Sequence, residues 1–234
     1  MASLQYLLTV LPSLPELGEK VAADDIYSMV KAEGSSKFDY LMDILSAEDE
    51  IVKCGLQYYV LQNKEYEAEI SANLPENFVK VFYSFKEKSE ADWMTATYRA
   101  WFDMLVDTGK KTGSKLIVEW AKWEYSLRIN FMIDRLKKAG IGSEEAVQIP
   151  DFMSFGNDYD NASLVEAYNR TTEPLKAEKA LDQARIDFIR NSAISYSFST
   201  DELIAYLLEL RIHKRYARLN PEQGRKILKE VTAL

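Results

Sequence analysis

Two residues of this sequence have side chains that often act in catalysis or metal binding. His213 is the only histidine and Cys54 the only cysteine. One histidine excludes, within a single chain, a zinc site or a metalloprotease motif built on two histidines. Because no histidine lies near Cys54 in the sequence to activate its thiol, we predict a packed and inert cysteine. His213 stands among basic residues on a predicted helix, and we expect it to be exposed.

Acidic residues occur in short runs that resemble the carboxylate clusters of acid–base or metal sites. The clearest runs are Asp24-Asp25, Glu48-Asp49-Glu50 and Glu144-Glu145. Each stands at the start of a predicted helix, where the N-terminal partial charge stabilises acidic side chains. We therefore predict a structural role for them. A di-iron bundle is excluded as well, because it needs a Glu-x-x-His motif on each of two helices.

Motifs for nucleotide binding and covalent catalysis are absent from the sequence. It contains neither a P-loop nor a GxGxxG motif, so we predict that the protein binds no ATP, uses no cofactor and is not an enzyme. The alternative is a stand-alone helical enzyme or small-molecule sensor whose site combines dispersed Tyr, Trp and carboxylate side chains. A deep pocket with convergent polar groups and perturbed carboxylates would favour that alternative.

The C-terminal section is basic, although the chain as a whole is acidic. Between Glu209 and Glu230 the basic residues are Arg211, Lys214, Arg215, Arg218, Arg225, Lys226 and Lys229. These residues form either a solvated helix face or a docking face for an acidic partner. For the second case, the predicted partner-binding residues are Arg211, Lys214, Arg215 and Arg218.

Helices are predicted along nearly the whole chain, because 3.6-residue spacing of apolar side chains prevails and only 9 Gly and 6 Pro interrupt it. The predicted fold class is all-α. The predicted helices span roughly residues 24–33, 37–45, 47–62, 76–87, 89–108, 114–139, 162–169, 172–191, 200–219 and 221–232. Residues 4–11 fit a short strand or a packed helical segment, and we favour the helix. In the longest helix, Glu124 and Arg128 are expected to form a surface pair.

The two central helices carry all four tryptophans, Trp93, Trp101, Trp120 and Trp123. Aromatic side chains at helical spacing are usually buried, so we predict core packing, with a partner surface as the alternative. Residues 140–163 are rich in Gly, Asn and Asp but also contain aromatic residues, which indicates a docking loop rather than a free linker. The chain is either one all-helical unit, residues 1–234, or two lobes, 1–140 and 161–234, joined by a docking loop at 141–160.

Composition sets the outer limits of the interpretation. With 234 residues, 47% of them hydrophobic, the chain can build a packed core. A net charge of −8 argues against a general role on nucleic acid or an anionic membrane. No apolar run approaches the roughly 20 residues that span a bilayer. A single cysteine cannot form an internal disulfide, so we expect a reducing, cytoplasmic setting.

The predicted helix at residues 200–219 has two parts. Ser199 and Glu202 form a capping box at its start. Leu203 to Leu210 is apolar over most of the helix circumference and is predicted to be buried. Arg211 to Arg218 is basic and is predicted to leave the core.

That helix resembles a known family. The run Glu202, Leu203-Ile204-Ala205-Tyr206-Leu207-Leu208, followed by Arg218-Leu219, is similar to the closing helix of the C subunit of vacuolar/archaeal-type rotary ATPases. The chain departs from that family where Leu210, Arg211 and His213 replace residues that are usually acidic. The whole chain also resembles an uncharacterised bacterial family encoded within V-type ATPase gene clusters. The matching segments are Tyr6-Leu7-Leu8, Leu11-Pro12-Ser13-Leu14, Trp123-Glu124, Leu127-Arg128, Asn130 and the helix Leu203 to Leu208.

The resemblance implies an elongated multi-helix fold like that of the ATPase C subunit. It also implies a non-catalytic connector that links the central stalk to the membrane ring of a proton- or sodium-translocating ATPase. The implied partners are the stalk and membrane-ring subunits, with no nucleic acid. The implied location is cytoplasmic and peripheral at the inner membrane face, reached through those partners.

Overall fold

The computed structural model describes residues 4–33, 36–140, 159–194, 196–217, 219 and 221–232. In these ranges the chain forms helices and no β-strand, apart from one isolated bridge between Leu17 and Glu19. The all-α prediction is confirmed. No helix in the described part of the chain is both long enough and apolar enough to cross a membrane.

Ten α-helices lie within the described ranges. They are α1 Leu4–Val10, α2 Ala23–Glu33, α3 Ser36–Cys54, α4 Glu76–Tyr83, α5 Glu90–Thr112, α6 Lys115–Lys138, α7 Ala162–Arg170, α8 Pro174–Ser192, α9 Thr200–Ala217 and α10 Pro221–Thr232. A π-helical turn, Gly55–Val60, follows α3, and a 3₁₀ turn, Ser84–Lys86, follows α4. The helix preferred for residues 4–11 is confirmed by α1.

One predicted break between helices is wrong. Helices were expected at 37–45 and 47–62, but α3 runs from Ser36 to Cys54 without interruption. Leu45 and Ala47 on either side of Ser46 are buried in the core, which favours a continuous helix, and Ser46 Oγ donates to the Asp43 carbonyl at 3.0 Å within it.

A predicted helix end is also wrong, because α5 continues through Gly109 to Thr112. A Cβ atom at Gly109 would lie 2.4 Å from Val118 Cγ2 and 2.8 Å from Ile117 Cγ2. The glycine therefore allows α6 to approach α5 closely and does not end the helix. Gly113, with φ of 73°, ends α5 instead, and the Ser114 side chain accepts from Ile117 N at 3.2 Å to begin α6.

The core is built around the tryptophans, which confirms the core-packing prediction. Trp93, Trp101 and Trp120 are almost completely buried, and Trp123 is 7% exposed. The indole N–H of Trp101 donates to the Ile44 carbonyl at 2.8 Å, and the ring of Trp101 meets that of Trp120 edge to face. The hydrogen bond joins α5 to α3, and the ring contact joins α5 to α6. These three helices therefore share one apolar interior.

Side chains from both predicted lobes contribute to this main core. It contains most of the buried side chains before Gly140 together with Ile186 and Ile189 of α8 and the apolar half of α9. Trp123 and Leu127 of α6 form a smaller cluster with Val165 and Leu181. Residues 141–158 lie outside the described residues, so the docking loop and the choice between one unit and two lobes stay predictions.

Candidate functional site

The last turns of α9 position two arginines of the candidate site. The first half of the helix is anchored in the core by Leu203, Ile204, Leu207, Leu208 and Leu210, all of them buried. This burial confirms the prediction for that half. Because the anchored helix cannot rotate freely, Arg211 and Arg215 are held one turn apart on the same face.

The start of α9 is fixed by the predicted cap. Ser199 Oγ accepts a hydrogen bond from the Glu202 amide at 3.3 Å. The Glu202 carboxylate accepts from the amides of Tyr196 and Phe198, at 2.8 and 2.7 Å. The first half of the capping box is thus confirmed, and the reciprocal bonds go to two residues of the preceding loop.

Glu124 of α6 binds two arginines at once. Its Oε1 accepts from Arg128 Nε at 3.0 Å, and its Oε2 accepts from Arg185 Nε at 2.9 Å. Arg185 Nη2 also donates to Oε1 at 3.0 Å, which makes the pair with Arg185 bidentate. The Glu124 side chain is only 2% exposed, so its charge depends on these two partners rather than on water.

Glu48 of α3 is the second carboxylate that binds two arginines. Arg128 Nη2 donates to one of its oxygens and Arg211 Nη2 donates to the other. Arg211 also lies 3.9 Å from Asp49. Arg128 therefore bridges Glu48 and Glu124, and the same set of charges joins α3, α6 and α9.

The network continues to α8. Arg185 Nη1 donates to Asp182 Oδ1 at 2.8 Å, and Arg215 of α9 donates to the same oxygen and to Glu178 Oε2 at 3.0 Å. We call this set the arginine network, and its members are Arg128, Arg185, Arg211, Arg215, Glu48, Glu124, Glu178 and Asp182.

Mutual attraction keeps the buried part of the network ionised. Burial alone would raise the pKa of Glu124, but Arg185 and Arg128 outweigh that effect and lower it to about 2. Burial is likewise outweighed at Glu48, whose pKa Arg211 and Arg128 lower. At Arg128 and Arg211, burial would lower the pKa, yet Glu48 raises it. The buried charges of the network therefore depend on one another, and removal of one partner leaves its neighbours only partly compensated.

Aromatic rings support the central arginine. The Arg128 guanidinium carbon lies 4.5 Å from the ring centroid of Tyr98 and 5.6 Å from that of Phe102. Guanidinium groups are attracted to aromatic faces at such distances. Arg128 is thus held by two carboxylates and by aromatic side chains of α5.

A cleft of about 930 Å³ opens beside the network. Its lining includes all four network arginines, Glu48 and Glu124. Trp120 also lines it, and its indole N–H is buried with no hydrogen-bond partner in the described residues. The same holds for Arg211 Nε. The cleft wall therefore has hydrogen-bonding capacity that the described residues do not use.

The structure brings three of the four predicted partner-binding residues to this cleft. Arg211 and Arg215 belong to the network, and Lys214 Nζ bonds Asp24 Oδ1 at 2.7 Å. Arg218 lies outside the described residues. Of the three described residues, Arg211 is the least exposed, since its side chain is 12% exposed against 24% for Lys214 and 37% for Arg215. Partner binding by these residues stays a prediction.

Two expectations about single residues are wrong. Glu124 and Arg128 were expected to form a surface pair; they do pair, but the Glu124 side chain is 2% and that of Arg128 31% exposed, because Glu48 of α3 and Arg185 of α8 bind them. His213 was expected to be exposed, yet it is 2% exposed. Its nearest carboxylate oxygen, on Glu209, lies 3.7 Å away, and burial lowers the pKa of His213.

The remaining chemical candidates have mixed outcomes. Cys54 is fully buried, and burial and the charge of Glu50 raise its pKa to about 12, which confirms an inert thiol. Asp24 and Asp25 stand in the first turn of α2 as predicted. The run at Glu48 was wrongly placed at a helix start, because it lies in the middle of α3, and Glu144-Glu145 lies outside the described residues. Within the described ranges, no group of three or more His, Cys, Asp or Glu residues could hold a metal ion.

Comparison with known proteins identifies the family. A family described as "Protein of unknown function (DUF2764)" matches residues 46–234, a range that contains every member of the arginine network. No curated protein and no solved structure matches the chain. Because the family match covers well over half of the sequence, the chain belongs to the DUF2764 family.

Proposed function

We propose that this protein is a non-catalytic connector between the central stalk and the membrane ring of a vacuolar/archaeal-type proton- or sodium-translocating ATPase, with a role like that of the C subunit. The observation that carries the proposal is the arginine network, which joins α3, α6, α8 and α9 by charge-assisted hydrogen bonds. The similarity of the run Glu202 to Leu208 to the closing helix of the C subunit supports it, since this run opens the helix that holds Arg211 and Arg215.

The network suits a part that passes force between other proteins. Buried ion pairs contribute little net stability, because desolvation offsets attraction, but their directional bonds favour one arrangement of the helices. In the arginine network every guanidinium has a carboxylate partner within the chain. A body with helices fixed in this way resists sliding and rotation of α9 against α3 and α6, which a connector requires.

An elongated fold like that of the C subunit and a peripheral position at the inner membrane face are parts of the same proposal. The protein would reach the membrane through the stalk and ring subunits. Such a role needs neither a cofactor nor a catalytic group.

Association with the ATPase tests the proposal. The tagged protein is coexpressed with the stalk and ring subunits encoded in the same genome, and we expect it to be retained in a pull-down and to comigrate in size-exclusion chromatography. A purified ATPase that never retains the protein would rule out the connector.

Lys214 tests the predicted basic docking face separately. Its only described ion pair is with Asp24, which is highly exposed, so Lys214→Gln leaves the arginine network intact. If the face docks to an acidic partner, this variant should bind the ATPase several-fold more weakly, and more so at low ionic strength. Lys80→Gln, which removes an exposed pair with Glu76 on α4, is the matched control.

The cleft supports a second candidate function, a small-molecule sensor. Its volume of about 930 Å³, its unused N–H groups on Arg211 and Trp120 and its perturbed carboxylates are what that alternative predicts. Titration with inorganic phosphate, glutamate and ATP, followed by tryptophan fluorescence and thermal unfolding, tests it. A saturable rise in Tm with one of these probes would favour the sensor, and three flat titrations would favour the connector.

A further inference from the structure

The loop between α8 and α9 displays three large apolar side chains to solvent. Ile194, Tyr196 and Phe198 are 77%, 86% and 40% exposed. We call these three residues the apolar loop. Large apolar side chains at this density usually belong to the core or to a binding surface.

The backbone of the apolar loop is strained. Tyr196 has φ of 57° and Phe198 has φ of 49°, in the left-handed region that bulky residues rarely adopt. Strain of this kind is concentrated at functional sites. Packing within the described residues does not explain the conformation of Tyr196, because its side chain is 86% exposed.

Glu202 holds the strained loop in place. Its two carboxylate oxygens accept from the amides of Tyr196 and Phe198, and its own amide is bound by Ser199. The loop is therefore fixed to the first turn of α9, the helix that is anchored in the core. A rigid display lowers the entropy lost when the aromatic side chains bind a partner.

The charges near the loop indicate the kind of partner. No Lys or Arg occurs between Arg190 and Arg211, while Asp201 and Glu202 directly follow the loop. Anionic bilayers and nucleic acids attract basic segments, so neither is the favoured partner. An apolar protein pocket with a basic rim is complementary in both shape and charge.

We infer that Ile194, Tyr196 and Phe198 insert into an apolar pocket with a basic rim on one of the rotary ATPase subunits. This inference rests on the proposed connector function and assigns it a contact. The three side chains act as anchors, and the negative charges of Asp201 and Glu202 beside the loop favour the basic rim.

Asparagine substitutions separate the side chains from the backbone shape. Asparagine tolerates the left-handed region, so Tyr196→Asn combined with Phe198→Asn removes the aromatic rings and keeps the loop conformation. Leu175→Asn is the matched control, because Leu175 is 41% exposed near the start of α8, well away from the loop in sequence. Circular dichroism and Tm verify that all variants are folded.

Binding to the coexpressed and purified stalk and ring subunits is then measured by biolayer interferometry. We expect at least a tenfold higher Kd for the double variant and an unchanged Kd for Leu175→Asn. Equal binding by the wild type and the double variant would overturn the docking role of the loop and leave the connector proposal standing. A wild-type protein that does not bind any of the subunits would overturn the connector, and this contact with it.

Binding to lipid vesicles tests whether the apolar loop contacts a bilayer instead of a protein. Wild-type protein is mixed with vesicles of phosphatidylglycerol and phosphatidylcholine, and we expect no cosedimentation. Cosedimentation that disappears in the double variant would replace the protein pocket by a bilayer surface and so overturn the inference.

Discussion

The arginine network and the apolar loop depart from the usual distribution of polarity in opposite directions. In the network, charged side chains are buried: Glu48, Glu124 and Asp182 are each less than a tenth exposed. In the loop, apolar side chains are exposed. The network pairs each of its charges within the chain, whereas the described chain leaves Tyr196 86% exposed and Ile194 77% exposed.

This difference indicates that the arginine network acts in folding and the apolar loop in association. Burial of paired charges ties helices together and is complete in the isolated protein. Apolar groups that are exposed on a strained backbone become buried only when a partner covers them. Substitutions in the network should therefore change folding, and substitutions in the loop should change association.

The largest effect is expected for Glu124→Gln. The variant removes the charge that Arg128 and Arg185 share but leaves them Glu48 and Asp182, so the loss should lie at the lower end of the roughly 3–5 kcal/mol that is typical when one partner of a buried ion pair is removed. Urea unfolding measures the free energy, and Glu76→Gln, which removes an exposed pair on α4, is the control. A loss below about 1 kcal/mol would show that the network does not hold the helices together.

Acid should weaken the network through the same residue. The pKa of Glu124 is lowered from 4.5 to about 2, so its contribution is fully present above pH 4.5 and is lost as the pH falls toward 2. The shift corresponds to about 3 kcal/mol. Urea unfolding between pH 6 and 2.5 should show this loss in the wild type and a much flatter curve in Glu124→Gln.

His213 adds a separate and smaller acid effect. Because burial lowers its pKa below 6.5, the folded state takes up fewer protons than the unfolded state, and stability falls as the pH drops below 6.5. His213→Leu should remove that early part of the curve. A wild-type curve that is flat between pH 7 and 5 would contradict this assignment.

An intermediate effect is expected for Glu202, which connects the apolar loop to α9, the helix that carries Arg211 and Arg215 of the arginine network. Glu202→Ala removes the acceptor for the Tyr196 and Phe198 amides, and loss of a helix cap typically costs about 0.5–2 kcal/mol. Hydrogen exchange should speed up at these two amides and not in the arginine network. Unchanged exchange at both amides would mean that Glu202 does not hold the loop.

The smallest effect on folding is expected for the loop side chains. Tyr196 is 86% exposed and Phe198 40% exposed, so Tyr196→Asn with Phe198→Asn removes buried area mainly at Phe198, and the free energy of unfolding should change by less than about 1 kcal/mol. Urea unfolding checks this. A large loss of stability would place the loop aromatics among the structural contacts and would end the contrast with the network.

Local features of the site could be predicted from the sequence, whereas its long-range pairs could not. The Ser199 cap and the buried half of α9 depend on residues a few positions apart, and α10 has the predicted bounds. In contrast, Glu48 and Arg128 are 80 residues apart, and Glu124 and Arg185 are 61 apart. Helical periodicity shows which face of a helix is apolar, but not which helix lies opposite.

The errors at Glu124 and His213 have the same cause. Charged residues at i,i+4 spacing occur mainly on helix surfaces, and a histidine among basic residues resembles a solvated position. Both expectations failed because α3 and α8 cover those faces of α6 and α9. The sequence did contain one useful pattern, because Glu124 and Arg128 directly follow the apolar residues Trp123 and Leu127 on the same helix, although it does not identify their partners.

The buried thiol makes the protein convenient for site-specific labelling. Cys54 is the only cysteine, is fully buried and has a pKa of about 12, so it should not react with maleimides in the folded state. A cysteine introduced by Tyr196→Cys would then be the one reactive thiol in the folded wild-type background. Fluorescent or spin labels at that position could report whether the proposed partner subunits approach the apolar loop.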